Sequence, residues 1–176
     1  PHGTVVRAII SLKPGDMEIP EFGRGNWFKK SVNTGAKWAQ LELTVFGGPY
    51  DRRKVWDNIF VDGDKMGQSG IPVAKEIGLR TLRSIIESHN NLDPADMSEA
   101  AQSKRQISGI DQLNGMEICA KVKVEKGTNG YADQNKILIV LTPNSKDFIS
   151  GGAAPITSQA PQPQATASGP VPDWAR

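Results

Sequence analysis

Two kinds of side chain recur together in this sequence, flat aromatic rings and fixed cations. Trp27 and Phe28 are followed at once by Lys29 and Lys30. Trp38 and Phe46 share one parity of an alternating run, and Tyr50, Arg52, Arg53, Lys54 and Trp56 come soon after. Rings stack on unpaired bases, and Lys and Arg neutralise phosphates. The mixture is therefore the chemistry of a single-stranded nucleic-acid binder. Lys121 and Lys123 alternate outward further along, and Tyr131 stands in a turn, so each could extend such a track. Blander readings fit the same residues. Arg52 to Lys54 could be a solvated hairpin tip, and Lys121 and Lys123 the guard of an edge strand. Trp38 and Phe46 could lie under a helix or the tail, and either face of the strand that holds Trp56 could be the core.

Signals for catalysis are weak by comparison. Asp57, Asp62 and Asp64 suggest a nuclease-like carboxylate cluster, but their spacing matches no metal-binding loop. No Gly-rich stretch ends in the Lys-Ser/Thr of a phosphate-binding loop. No nucleophile, base and orienting group stand together. His2 and His89 are far apart and Cys119 is alone, which leaves no zinc pattern. The expectation is a binding protein, not an enzyme, with no metal and no cofactor.

The elements that position the rings follow from period-two alternation. A first strand runs over residues 4–12, with Val6, Ala8, Ile10 and Leu12 on one face. Residues 23–38 read as a hairpin or mobile loop, because Gly, Asn and Thr recur there. A second strand over 38–46 puts Ala39, Leu41, Leu43 and Val45 on its core face. A third runs over 53–61. Residues 73–89 carry apolar positions at helical spacing, although Gly78 costs about 1 kcal/mol there relative to Ala. A short polar helix is expected from about Asp93 to Lys104. Residues 116–125 alternate as a fourth strand, with Ile118, Ala120, Val122 and Val124 inward and Cys119 outward. Residues 136–142 form a fifth, apolar on both faces and hence central or covered.

Three strands, a helix and two strands is the order of the OB-fold. The predicted class is therefore mainly β: a five-stranded OB-fold-like Greek-key barrel with a helix between strands three and four. Such a barrel binds oligonucleotides on its second and third strands, where the rings and cations of this chain concentrate.

Composition sets the outer limits. The chain has 176 residues, 38% of them hydrophobic, and a formal net charge of only +2, so any phosphate affinity must come from local clusters. Residues 1–149 are expected to form one nucleic-acid-binding domain. Residues 150–176 are rich in Ala, Pro, Gln, Ser and Gly, and a segment so poor in apolar and charged groups is expected to be a disordered tail. Its tip carries Asp173 and Trp174, a candidate anchor for a protein partner. A single cysteine fits a reducing compartment. No apolar run reaches a membrane span, and no signal-peptide core stands at the start. The cytoplasm is the expected location, with no membrane partner.

The runs GPYDRRKVWDNIFV, Leu113-Asn114-Gly115 before MEICAKVKVE, and Gln134-Asn135-Lys136 before ILIVLTP resemble a group of phage and prophage proteins. Those proteins are found beside replication and recombination genes and are thought to act as single-stranded DNA-binding or accessory proteins. The resemblance covers roughly residues 4–148. It implies single-stranded DNA as ligand and a replication or recombination protein as partner of the tail, and it leaves homo-oligomerisation open. The terminal motif departs from the strongly acidic tip usual in bacterial single-stranded DNA-binding proteins, since Asp173 is its one acid. An interaction adaptor for a recombinase, nuclease or host factor, without DNA binding of its own, is the alternative.

Overall fold

The alternating runs fold as strands in the computed structural model, which describes residues 2–127 and 132–150. In chain order these are β1 (Thr4–Leu12), β2 (Phe28–Lys30), β3 (Lys37–Phe46), β4 (Lys54–Asp62), β5 (Glu117–Glu125) and β6 (Gln134–Leu141). Two helices, α1 (Val73–His89) and α2 (Glu99–Arg105), lie between β4 and β5. Ser98 caps α2 by accepting the Ala101 N–H at 3.2 Å. The stretch before it is not helix. There the Asp93 and Asp96 carboxylates accept the N–H groups of Ala95 and Ser98, two residues on. Asp binds its own backbone in this way in turns, which delays the helix.

Every strand pair is antiparallel. The path runs β2-β3-β1-β5-β6, with β4 on the other side of β3. One edge of β3 is shared: Lys37 to Ala39 pair with β2, and Leu41 to Phe46 pair with β1. The sheet thus has six strands where five were expected. It is also open. No ladder joins β4 to β6 among the described residues, although the two strands approach each other.

The register decides which side chains are core. Ala8, Ile10 and Leu12 face Val45, Leu43 and Leu41 across the β1–β3 ladder, and all are buried together with Val6, Ala39 and the β4 residues Val55, Ile59 and Val61. Leu82 and Ile85 of α1 join the same cluster. Each such side chain contributes about 1.5–3 kcal/mol by leaving water. Gly78 lets α1 come close to β4, because a Cβ there would stand 1.7 Å from the Phe60 carbonyl oxygen.

Two expectations for the last strands are corrected. Cys119 has the outward parity of β5 but is buried. The end of α1 and the segment after β6 roof it: Ser88 Oγ accepts the Cys119 N–H at 3.0 Å, and the Ile149 N–H reaches Cys119 Sγ at 3.4 Å. β6 is neither central nor fully covered. It ends the sheet path, and Leu138 and Ile139 are about half exposed. The register slips between Lys121 and Val122, leaving Leu138 as an extra residue without a partner on β5. Such a bulge breaks the alternation that the sequence implies.

Candidate nucleic-acid interface

The outer face of β3 and β4 gathers most of the rings. Across this ladder Trp38 pairs with Phe60, Gln40 with Asn58, Glu42 with Trp56, and Thr44 with Lys54. The Trp38 and Phe60 ring centroids are 5.9 Å apart and tilted by 46°. Trp56 is 48% exposed and Phe60 37%. Burial of Val55, Ile59 and Val61 on the opposite parity makes the Trp56 face the outer one. Phe60 shares that parity but was not singled out from the sequence. Its signal was the cross-strand partner, Trp38, which emerges only once the register is known.

Cations border this row, and several already have partners. Lys29 lies opposite Trp38, and its Nζ donates to Gln40 Oε1 at 2.9 Å. Lys30 is exposed at the end of β2. Lys37 pairs with Asp62 at 2.6 Å. Glu42 sits in the middle of the face, buried, with Lys13 Nζ at 2.8 Å and Lys54 Nζ at 2.7 Å. These two lysines hold its carboxyl down at about 2, well below the usual glutamate value. Lys54 is therefore tied to an acid rather than free for a phosphate. Lys13, Lys37 and Glu42 were not candidates from the sequence; Lys37 and Glu42 already stand near Trp38 along the chain, and the register adds Lys13.

The turn between β3 and β4 is cationic and open to solvent. Arg52 and Arg53 are exposed, and Arg52 takes a left-handed φ of 63°. The Arg53 guanidinium lies 5.5 Å from the centroid of the Tyr50 ring. Tyr50, Arg53 and Lys54 rim a hollow of about 200 Å³ walled by Val6, Val45, Val55 and Val122.

The remaining candidates divide. Phe28 is not a stacking ring: it is fully buried and meets Phe22 at 5.6 Å. It opposes Ala39 across β2 and β3, which places it on the core face and sends Lys29 outward. Residues 28–30 are thus a strand, not part of a mobile loop. Trp27 is half-buried against the core, and its Nε1–H donates to the Arg24 carbonyl at 3.1 Å. Phe46 lies on the outer face of β3, next to β1, under the Arg7 guanidinium at 4.6 Å. Lys121 and Lys123 are on β5, which pairs with neither β3 nor β4, although Lys123 acts electrostatically on Asp57. Lys121 pairs with Asp147 at 2.6 Å, and Lys123 lies 3.5 Å from Glu125. β5 is flanked by β1 and β6, so neither lysine guards an edge. Tyr131, Asp173 and Trp174 lie outside the described residues.

Asp57, Asp62 and Asp64 do not converge. Among the described residues no three His, Cys, Asp or Glu side chains come together as a metal site would need. No described helix is long and apolar enough to cross a membrane. No protein-family profile matches the sequence, and no curated protein matches it.

Proposed function

We propose that this chain binds single-stranded DNA across the outer face of β3 and β4, with no chemistry of its own. The observation that carries this reading is the row of Trp38, Phe60 and Trp56, left partly open to solvent and bordered by Lys29, Lys30, Arg52 and Arg53. Each stacked base would contribute about 1–3 kcal/mol, and the cations would add a salt-dependent term. On this reading the sheet is a variant of the OB-fold. With β2 set aside, the pairings β1–β3, β3–β4, β1–β5 and β5–β6 follow the order of that barrel, with α1 inserted after its third strand. The same reading places the protein in phage or mobile-element replication and recombination, where the tip at Asp173 and Trp174 would recruit a partner.

Binding of labelled single-stranded DNA, duplex DNA and RNA of equal length, followed by anisotropy across a salt series, tests the proposal. Single-stranded DNA should bind tightest. Replacing Arg52 and Arg53 by Ala should weaken binding for every sequence and flatten the salt slope by about 0.7 for each phosphate left without its cation. Absence of binding to all three would leave the adaptor reading in its place.

A further inference from the structure

Asp57 is out of place for its register. It occupies the inward parity of β4, between the buried Val55 and Ile59 and opposite the buried Leu41. An apolar residue is what that position calls for. Asp57 is half-buried, and burial pushes its carboxyl up from the ordinary aspartate value. Among the described residues it forms no ion pair, although Lys136, which lines the same cleft, and Lys123 attract it at longer range. One oxygen, Oδ1, accepts the Asn58 N–H at 2.8 Å. The other has no hydrogen-bond partner among those residues. A partly desolvated carboxylate costs free energy unless something donates to it.

The carboxylate opens into a cleft along the gap between β4 and β6, where no ladder closes the sheet. The cleft has a volume of about 550 Å³, within the range of small-molecule sites. Its walls are polar and include Gln40, Lys54, Asp133 and Lys136. Asn58 comes from β4, and Gln134 and Asn135 come from β6. Their side-chain amides have no hydrogen-bond partner among the described residues. Trp56, from the proposed stacking row, also lines it: the cleft straddles the unpaired edge of β4, so residues of outward parity (Trp56, Asn58) and the inward-parity Asp57 border the same space. An aromatic plane, three amides and an unpaired carboxylate are the parts of a site for a planar, hydrogen-bonding ring.

We infer that the cleft between β4 and β6 is a base-reading subsite that takes a guanine from the bound single strand. This rests on the single-strand reading above and adds a sequence preference to it. The choice of base follows from what a carboxylate can do. It only accepts. Guanine alone presents two adjacent donors on its Watson–Crick edge, N1–H and the N2 amino group, which match two carboxylate oxygens. Thymine offers one N–H between two carbonyls. Adenine and cytosine each offer one amino group beside a ring acceptor. Guanine O6 and N7 are acceptors, and the amide N–H groups of Asn58, Gln134 and Asn135 are the complementary donors. Trp56 supplies the stacking plane at the mouth.

The test is competition between ligands that differ in one base. Anisotropy is measured for a thymine oligonucleotide, for the same strand with one central guanine, and for the same strand with inosine there. Inosine keeps N1–H, O6 and N7 but lacks the N2 amino group. The guanine strand should bind on the order of tenfold tighter than the thymine strand, and inosine should lose most of that gain. Asp57→Asn should abolish the guanine preference while affinity for the thymine strand stays within about twofold. The inosine comparison needs no variant, so it stands even if Asp57→Asn folds poorly. Equal affinity for all three strands would overturn the inference and leave single-strand binding intact. Failure of every strand to bind would remove both readings.

Discussion

Trp38 and Phe60 face each other across the β3–β4 ladder, with ring centroids 5.9 Å apart. The pair does two jobs in the proposed function. It holds neighbouring strands together, as aromatic cross-strand pairs do, and it presents a ring surface on the side of the sheet away from the core.

That division separates two variants. Trp56 is exposed and makes no ring pair among the described residues, so Trp56→Ala should weaken oligonucleotide binding by about 1–3 kcal/mol with the melting temperature nearly unchanged. Trp38→Ala should weaken binding by a similar amount and also lower stability by about 0.5–1.5 kcal/mol, because Phe60 loses its partner. Oligonucleotide should quench tryptophan fluorescence in the parent protein, and less so in each variant. Full affinity in both folded variants would take the rings out of the site.

Glu42 gives a pH signature. Lys13 and Lys54 depress its folded-state value to about 2 from an ordinary 4.5. A depressed carboxyl favours the folded state fully above the ordinary value, and that contribution is lost as pH falls from about 4.5 toward 2. Asp62 and Asp147, held down by Lys37 and Lys121, act in the same direction. Glu42→Gln should therefore lower the melting temperature at pH 7 and flatten, without abolishing, its fall in acid. The same change releases Lys13 and Lys54. Single-strand affinity should rise and its salt dependence should steepen. Weaker binding would mean that Glu42 positions the two lysines for phosphate rather than competing for them.

Gly78 offers a stability test with opposed terms. Alanine would favour the helix by about 1 kcal/mol. Its Cβ, however, would fall 1.7 Å from the Phe60 carbonyl oxygen, which is backbone and cannot swing aside. Overpacking of this kind costs about 1–3 kcal/mol or more. Gly78→Ala should be destabilising in thermal or urea unfolding. A neutral or stabilising result would show that α1 can lift from β4 at little cost.

The alternating parity of β1 and β3 was legible because their apolar residues share one face, and the helical spacing over Val73 to His89 because Leu82, Ile85 and Ile86 reach the core, although Ile77 at the same spacing is exposed. What failed was local pattern without knowledge of neighbours. Phe28 looks like a loop ring, because a strand as short as β2 has no period to read; its parity comes from Ala39 across the ladder. Cys119 looks outward because alternation cannot report a roof made by Ser88 and Ile149, which are 31 and 30 residues away in sequence. At the candidate site the rings and the Arg52–Arg53 turn were visible as composition. The competition of Glu42 for Lys54, the Trp38–Phe60 pair and the misplaced Asp57 all depend on register, which a single strand does not encode.

The roof over Cys119 also makes this residue a clock. It is the only thiol in the sequence, and burial raises its pKa, so an alkylating reagent meets it only when the cover lifts. The rate of labelling under native conditions reports how often residues 142–150 detach from β5, an opening that can occur far more readily than global unfolding. A ligand on the β3–β4 face should leave that rate alone, whereas anything that seats on the covering segment should slow it. The thiol can therefore tell an occupant of the β3–β4 row from an occupant of the segment that covers β5.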